Sequence, residues 1–168
     1  GVPSREADFV ARLSRIKKED VPALFWTAFA WSGWINLNRD DPQAVFDLSK
    51  VKAMMNRVLE LDEGYFFGAA HLFWGSIYGS IPPLLGGDPD KARAHFQRAI
   101  ELSEGKFLLA HVYYARFYAA TTLNEELFEE LLTKVVNAPG DIMPGYELMT
   151  SLAKRQAESL LKRREEIF

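Results

Sequence analysis

Apolar positions recur along this chain with helical spacing almost from end to end, and no stretch alternates as a strand would. Residues from about 4 to 17 place Phe9, Val10, Leu13 and Ile16 on one stripe and predict a short amphipathic helix. Asp20 and Pro22 open a second helix that runs to about Asn38, and Asp41-Pro42 opens a third that runs to about Leu61. Asp followed by Pro is a strong start signal. The carboxylate caps free amides, and proline fits the first turn, where no N–H is needed. Gly64 ends the third helix, and Tyr65 begins a fourth that reaches about Gly79. Asp88-Pro89 caps a fifth helix to about Ser103, with Gly105 as its stop. A sixth spans about Lys106 to Thr121, Asn124 caps a seventh to about Asn137, and Pro144 starts a long final helix.

Two of these helices have no polar face. The second carries no charge from Ala23 to Ile35, and nothing between Gly64 and Gly87 is Asp, Glu, Lys or Arg. The latter run is not a membrane span. Gly68, Gly75, Gly79 and Pro82-Pro83 interrupt it, and its helical part is too short to cross a bilayer. It reads instead as a helix buried on nearly every side.

The pattern also repeats. Arg57-Val58-Leu59-Glu60-Leu61-Asp62-Glu63-Gly64-Tyr65-Phe66 returns as Arg98-Ala99-Ile100-Glu101-Leu102-Ser103-Glu104-Gly105-Lys106-Phe107, and Lys50/Lys91, Ala53/Ala94 and Ala69/Ala110 extend the match. A fixed period of this length marks stacked helical repeats, which bind along extended surfaces. Ala92, Phe96 and Ala99 in the fifth helix, with Gly75 and Tyr78 three apart upstream, follow the small-and-aromatic pattern of tetratricopeptide (TPR) repeats. Small residues let helices approach, and large ones fill the space beside them. The expected fold is therefore all-α, a TPR-like stack of antiparallel helix hairpins forming an α-α superhelix, with residues 1–168 as a single domain. The segment Pro82-Pro83-Leu84-Leu85-Gly86-Gly87 lengthens the usual period. It is expected to be an ordered loop with Leu84 and Leu85 packed on the aromatic layer.

Composition narrows the chemistry. A formal net charge of −3 leaves no basic surface for nucleic acid or anionic lipid. Cysteine is absent, which removes disulfides, thiolate nucleophiles and Cys-based metal sites but does not identify a compartment. His71, His95 and His111 include no pair three or four apart, so no metal site is expected. Glu125-Glu126 and Glu129-Glu130 fall in the first turns of a helix, where negative charge suits the dipole, and read as a solvated face. No nucleophile elbow, phosphate loop or dinucleotide fingerprint occurs, so neither catalysis nor a cofactor is expected. What stands out is the aromatic content, 13% of the chain. Rings on helices with no polar face predict a hydrophobic surface or pocket lined from among Trp31, Trp34, His71, Trp74, Tyr78 and Tyr114.

Several segments together resemble a known family. Asp20-Val21-Pro22-Ala23-Leu24-Phe25-Trp26 followed by Trp31 and Trp34, the run from Arg57 to Asp62, and Ala115-Arg116-Phe117-Tyr118 are similar to the T component of TPR-associated TRAP transporters, the TatT-like family. So are Leu152-Ala153-Lys154-Arg155 and the closing Phe168. The most specific part is Pro82-Pro83-Leu84-Leu85-Gly86-Gly87-Asp88 with the following Pro89-Asp90-Lys91-Ala92, His95 and Phe96. The resemblance implies a non-catalytic, periplasmic, lipid-anchored helical-repeat protein that associates with the extracytoplasmic solute-binding (P) component. The leading expectation built on it is a module that docks that component, with a hydrophobic small solute to hold or pass as a secondary expectation. Members of that family carry a lipobox Cys and further helices upstream. The resemblance therefore implies that the chain is the C-terminal part of a longer lipoprotein, anchored through a segment it does not contain. Two other readings stay open: a TPR-type scaffold for peptide segments, and a stand-alone carrier of a hydrophobic small molecule. Homo-oligomerisation is a further expectation, because symmetric association is the usual outlet for a surplus of exposed rings.

Overall fold

The computed structural model describes residues 6–168, and every regular element among them is helical. In order these are α1 (Glu6–Leu13), a 3-10 turn (Lys18–Asp20), α2 (Val21–Leu37), α3 (Pro42–Asp62), α4 (Tyr65–Ser80), a second 3-10 turn (Pro83–Leu85) and α5 (Pro89–Leu102). Then come α6 (Leu108–Tyr114), which continues into a π-turn (Ala115–Ala119), α7 (Glu125–Asn137), α8 (Glu147–Lys162) and α9 (Arg164–Ile167). Residues 4 and 5 of the first expected helix lie outside the described residues.

The start signals act largely as their chemistry dictates. Asp41 accepts from the Gln43 amide at 2.8 Å, Asp88 from that of Lys91 at 3.0 Å and Asn124 from that of Leu127 at 3.0 Å. Asp20 departs from this. Its carboxylate turns back to accept from the Lys17 amide at 3.0 Å, closing the 3-10 turn instead of capping α2. The expected long final helix is divided into α8 and α9, and α8 starts at Glu147 rather than Pro144, because Gly145 takes a left-handed φ of 85°.

The chain falls into two compact units, one ending at Tyr65 and one from Phe66 to Phe168. In the first, α3 packs against α1 and α2. Its core holds Phe9, Leu13, Val21, Phe25, Val51 and Met55, all buried. Arg57 donates to the carbonyls of Ser14 and Ile16 at 3.3 and 2.7 Å, tying the α1–α2 connection to α3. In the second unit, α6 packs against α5, α7 and α8 around a core that includes Phe96, Val112, Phe128, Leu132 and Ala153. Phe168 closes this unit, its ring 5.2 Å from that of Phe128. Arg164 bridges to Glu125 and Glu129.

The sequence repeat is carried by side-chain geometry. Arg57 pairs with Glu60 at 2.9 Å and Arg98 with Glu101 at 3.1 Å. Asp47 and Lys50 pair at 2.8 Å, and Asp88 and Lys91 at 3.0 Å. Each of these lysines also lies over a ring from the preceding helix, Lys50 over Trp31 at 5.8 Å and Lys91 over Tyr78 at 5.4 Å. Each unit thus contains the same acid–lysine–aromatic arrangement, an i,i+3 ion pair reinforced by a cation–π contact.

Two backbone features depart from expectation. Helix α3 ends just before Gly64, as expected, but the fourth helix does not start cleanly at Tyr65: Phe66, Phe67 and Gly68 are left-handed, with φ of 46°, 61° and 74°. Such a conformation costs roughly 1–2 kcal/mol per residue with a side chain. Ring packing offsets that cost: Phe67 lies 5.3 Å from Phe107 and 5.0 Å from Tyr146, and Phe66 lies 6.1 Å from Phe107.

The second departure is the loop after α4. It is ordered, with Gly87 N–H and Leu85 N–H both donating to the Pro82 carbonyl at 3.1 and 2.9 Å. Leu84 and Leu85, however, do not pack on the aromatic layer. They are 98% and 76% exposed, because the 3-10 turn between Pro82 and left-handed Gly86 points both outward. Replacing both with serine should therefore leave the thermal midpoint unchanged, equivalent to less than about 0.5 kcal/mol. A larger drop in a melting experiment would show that these leucines are covered.

Candidate functional site

Helices α5, α6 and α7 of the second unit enclose a groove of about 310 Å³. Each contributes side chains four residues apart, which fall on one helix face. Arg93 and Gln97 form the α5 wall, Glu126 and Glu130 the α7 wall, and Tyr114 and Tyr118 line it from α6 and its π-turn. Leu127 and Asn124 complete the lining. The π-turn is built from i→i−5 bonds, Ala120 N–H to Ala115 O at 2.9 Å and Asn124 N–H to Ala119 O at 2.8 Å. Such turns are frequent at sites of function. Here Tyr114 is held by stacking on Phe96 at 5.5 Å and lies 5.2 Å from Tyr118. Burial, aided by Tyr118 and Glu130, holds the Tyr114 phenol above its ordinary range, and Arg93 opposes this in part.

The acidic run at the start of α7 is divided between two tasks. Glu125 and Glu129 face Arg164, whereas Glu126 and Glu130 face the groove. Reading the run as one solvated face missed this division, although the helical period separates alternate members into two pairs.

A second cluster sits between α4 and α5. His71 and His95 share a hydrogen bond, Nδ1 to Nδ1 at 2.8 Å. Trp74 and Tyr78 stack on His95 at 6.4 and 5.8 Å, and Trp74 and Tyr78 lie 5.4 Å apart. His71 and Trp74 are buried, and among the described residues the Trp74 indole N–H lacks a partner. Spacing along the sequence gave no sign of His95, because it joins His71 across two helices rather than along one.

The six candidate residues therefore do not share one place. His71, Trp74 and Tyr78 meet around His95. Tyr114 lines the groove. Trp31 is half-buried beneath Lys50, and Trp34 stands on α2, 45% exposed. Arg93, Gln97, Glu126 and Glu130 were not among the candidates. Their signal was two i,i+4 pairs on separate helices.

The histidines predict acid sensitivity. Burial, and then the neighbouring His71, pushes the His95 imidazole down to about 4. Burial, and then Lys134, pushes His111 down to about 4, with the Phe107 carbonyl opposing. In the unfolded chain both return to about 6.5. Between those values the unfolded chain binds more protons, so stability present above pH 6.5 is lost as pH falls toward about 4. The thermal midpoint should fall across that window, and His111→Leu should reduce the fall. Beyond the weak interaction with the Phe107 carbonyl, neither His111 ring nitrogen has a hydrogen-bond partner among the described residues, and the variant should therefore match or exceed the parent at pH 7. A parent and variant with identical pH profiles would remove His111 from this account.

Among the described residues no helix is long and apolar enough to cross a membrane. A family model described as the TRAP transporter T-component matches residues 2–168. No curated protein matches the chain.

Proposed function

Since the chain belongs to the TRAP transporter T-component family, we propose that it serves its transporter as a non-catalytic periplasmic docking protein for the extracytoplasmic solute-binding component. In this reading the whole chain acts as one TPR-like unit, and a lipid anchor upstream holds it at the membrane. The observation that carries the docking role is the loop from Pro82 to Gly87. It is fixed by two prolines and by hydrogen bonds to the Pro82 carbonyl, and it presents Leu84 and Leu85 almost fully to solvent. Leucines exposed on a rigid turn lose little conformational freedom on binding, so most of their burial energy is available to the complex.

An apolar solute is not assigned to the groove, whose walls are polar. The test is association with the purified solute-binding component by calorimetry. Changing Leu84 and Leu85 to serine should weaken binding by about tenfold or more without altering the fold. Undiminished binding by that variant would move the docking surface elsewhere. A parent chain that ignores the component but binds a long-chain acid would instead favour a stand-alone carrier.

A further inference from the structure

The groove between α5 and α7 has walls of opposite charge that do not neutralise each other. Arg93 stands on one wall and Glu126 and Glu130 on the other, and among the described residues no ion pair joins them. The neighbouring carboxylates Glu125 and Glu129 are both engaged by Arg164, so a cation within reach of α7 does form pairs there. We propose that the groove binds a small zwitterion of the amino-acid class, its carboxylate on Arg93 and its ammonium between Glu126 and Glu130.

Each part of the lining suits such a ligand. A guanidinium presents a planar fork of donors that matches a carboxylate. Two carboxylates four residues apart on one helix face offer several acceptors to an ammonium. The Tyr114 and Tyr118 hydroxyls can donate or accept between the two ends. Asn124 uses its side-chain oxygen to cap α7 and keeps its amide N–H groups for other partners. A volume of about 310 Å³ is at the small end for a ligand pocket, which suits an amino acid better than a long-chain solute.

Charge also sets the discrimination. A simple anion drawn to Arg93 meets two carboxylates opposite. A simple cation drawn to those carboxylates meets Arg93. Only a molecule carrying both charges gains on both walls. Two carboxylates against one guanidinium leave the groove net negative, so a second ammonium on the ligand should strengthen binding. This inference does not depend on the docking role, which rests on a different segment.

The experiment is calorimetric titration of the whole chain with 6-aminohexanoate and lysine, beside hexanoate and hexylamine. The two zwitterions should bind about tenfold or more tightly than either single-charge control, and lysine should bind more tightly than 6-aminohexanoate. Arg93→Gln should lower zwitterion affinity by about tenfold or more, and so should Glu126→Gln combined with Glu130→Gln. All three side chains are exposed, so the variants should melt with the parent in the absence of ligand. If neither zwitterion binds below about 10 mM, the proposal fails. It fails equally if hexylamine binds as well as 6-aminohexanoate, or if Arg93→Gln leaves affinity unchanged.

Discussion

Gly79→Ala should destabilise the fold by about 3 kcal/mol, although it adds only one methyl group to a helix. A Cβ at this position would lie 1.9 Å from the Phe117 carbonyl oxygen and 3.0 Å from its carbon. Those are backbone atoms inside the π-turn, so no rotamer change relieves the clash, and α4 would have to lift from that turn. Four residues earlier on the same face, a Cβ on Gly75 would come within 2.8 Å of the Phe96 ring. Phe96 is fully buried and fills the space that glycine leaves. The control is Gly33→Ala in α2, where nothing lies within 4 Å of the added carbon. There the helix-propensity gain is unopposed, and stability should rise by about 0.5–1 kcal/mol. Urea unfolding midpoints measure both. Equal and small effects at the two positions would mean that α4 does not approach the π-turn closely.

That contact shows which parts of the fold the sequence discloses. Small residues opposite a large one leave a periodic mark, so Gly75, Ala92, Phe96 and Ala99 were readable as a helix contact. Caps and ion pairs at fixed offsets were readable for the same reason: Asp41, Asp88 and Asn124 act locally, and the pairing of Arg57 with Glu60 recurs as Arg98 with Glu101.

Features that depend on tertiary context were not readable. Hydrophobicity alone sends Leu84 and Leu85 inward, yet the φ values fixed by Pro82, Pro83 and Gly86 decide their direction. The left-handed pair Phe66 and Phe67 has no local cause. It persists because Phe107 and Tyr146, distant in sequence, hold the rings. The groove was missed for a related reason. Its charged residues come from two helices, and only a three-dimensional arrangement turns a solvated acidic run into one wall of a site. Tyr114 was found because an aromatic surplus is a compositional signal, whereas Arg93 is one ordinary surface arginine in the sequence.

Without any partner, at micromolar concentration, the chain should run as a homo-oligomer, above its monomer mass of 19.1 kDa by light scattering. The reason lies in α2. The helix carries no charge, and Trp26, Phe29, Trp34 and Leu37 are 43%, 54%, 45% and 84% exposed on it. Val45 and Phe46, at the start of α3, add 50% and 60% exposed apolar side chains in the same unit. Isolated exposed rings are ordinary, but an uncharged helix that leaves four large apolar side chains in water marks an assembly surface. A self-complementary patch used by every copy is the commonest way to cover one. Phe29→Glu with Trp34→Glu should give a monomer. Association would then bury two carboxylates without partners, at a cost of several kcal/mol each. The same variant should keep the parent's helical circular dichroism, and its melting temperature should fall by what association contributes to the parent. An oligomer that survives the double change would place the interface elsewhere. A parent that is monomeric alone and gains mass only when the solute-binding component is added would assign the α2 face to that partner. In that case the Leu84 and Leu85 variant should still bind it, so the two measurements together decide which surface does the docking.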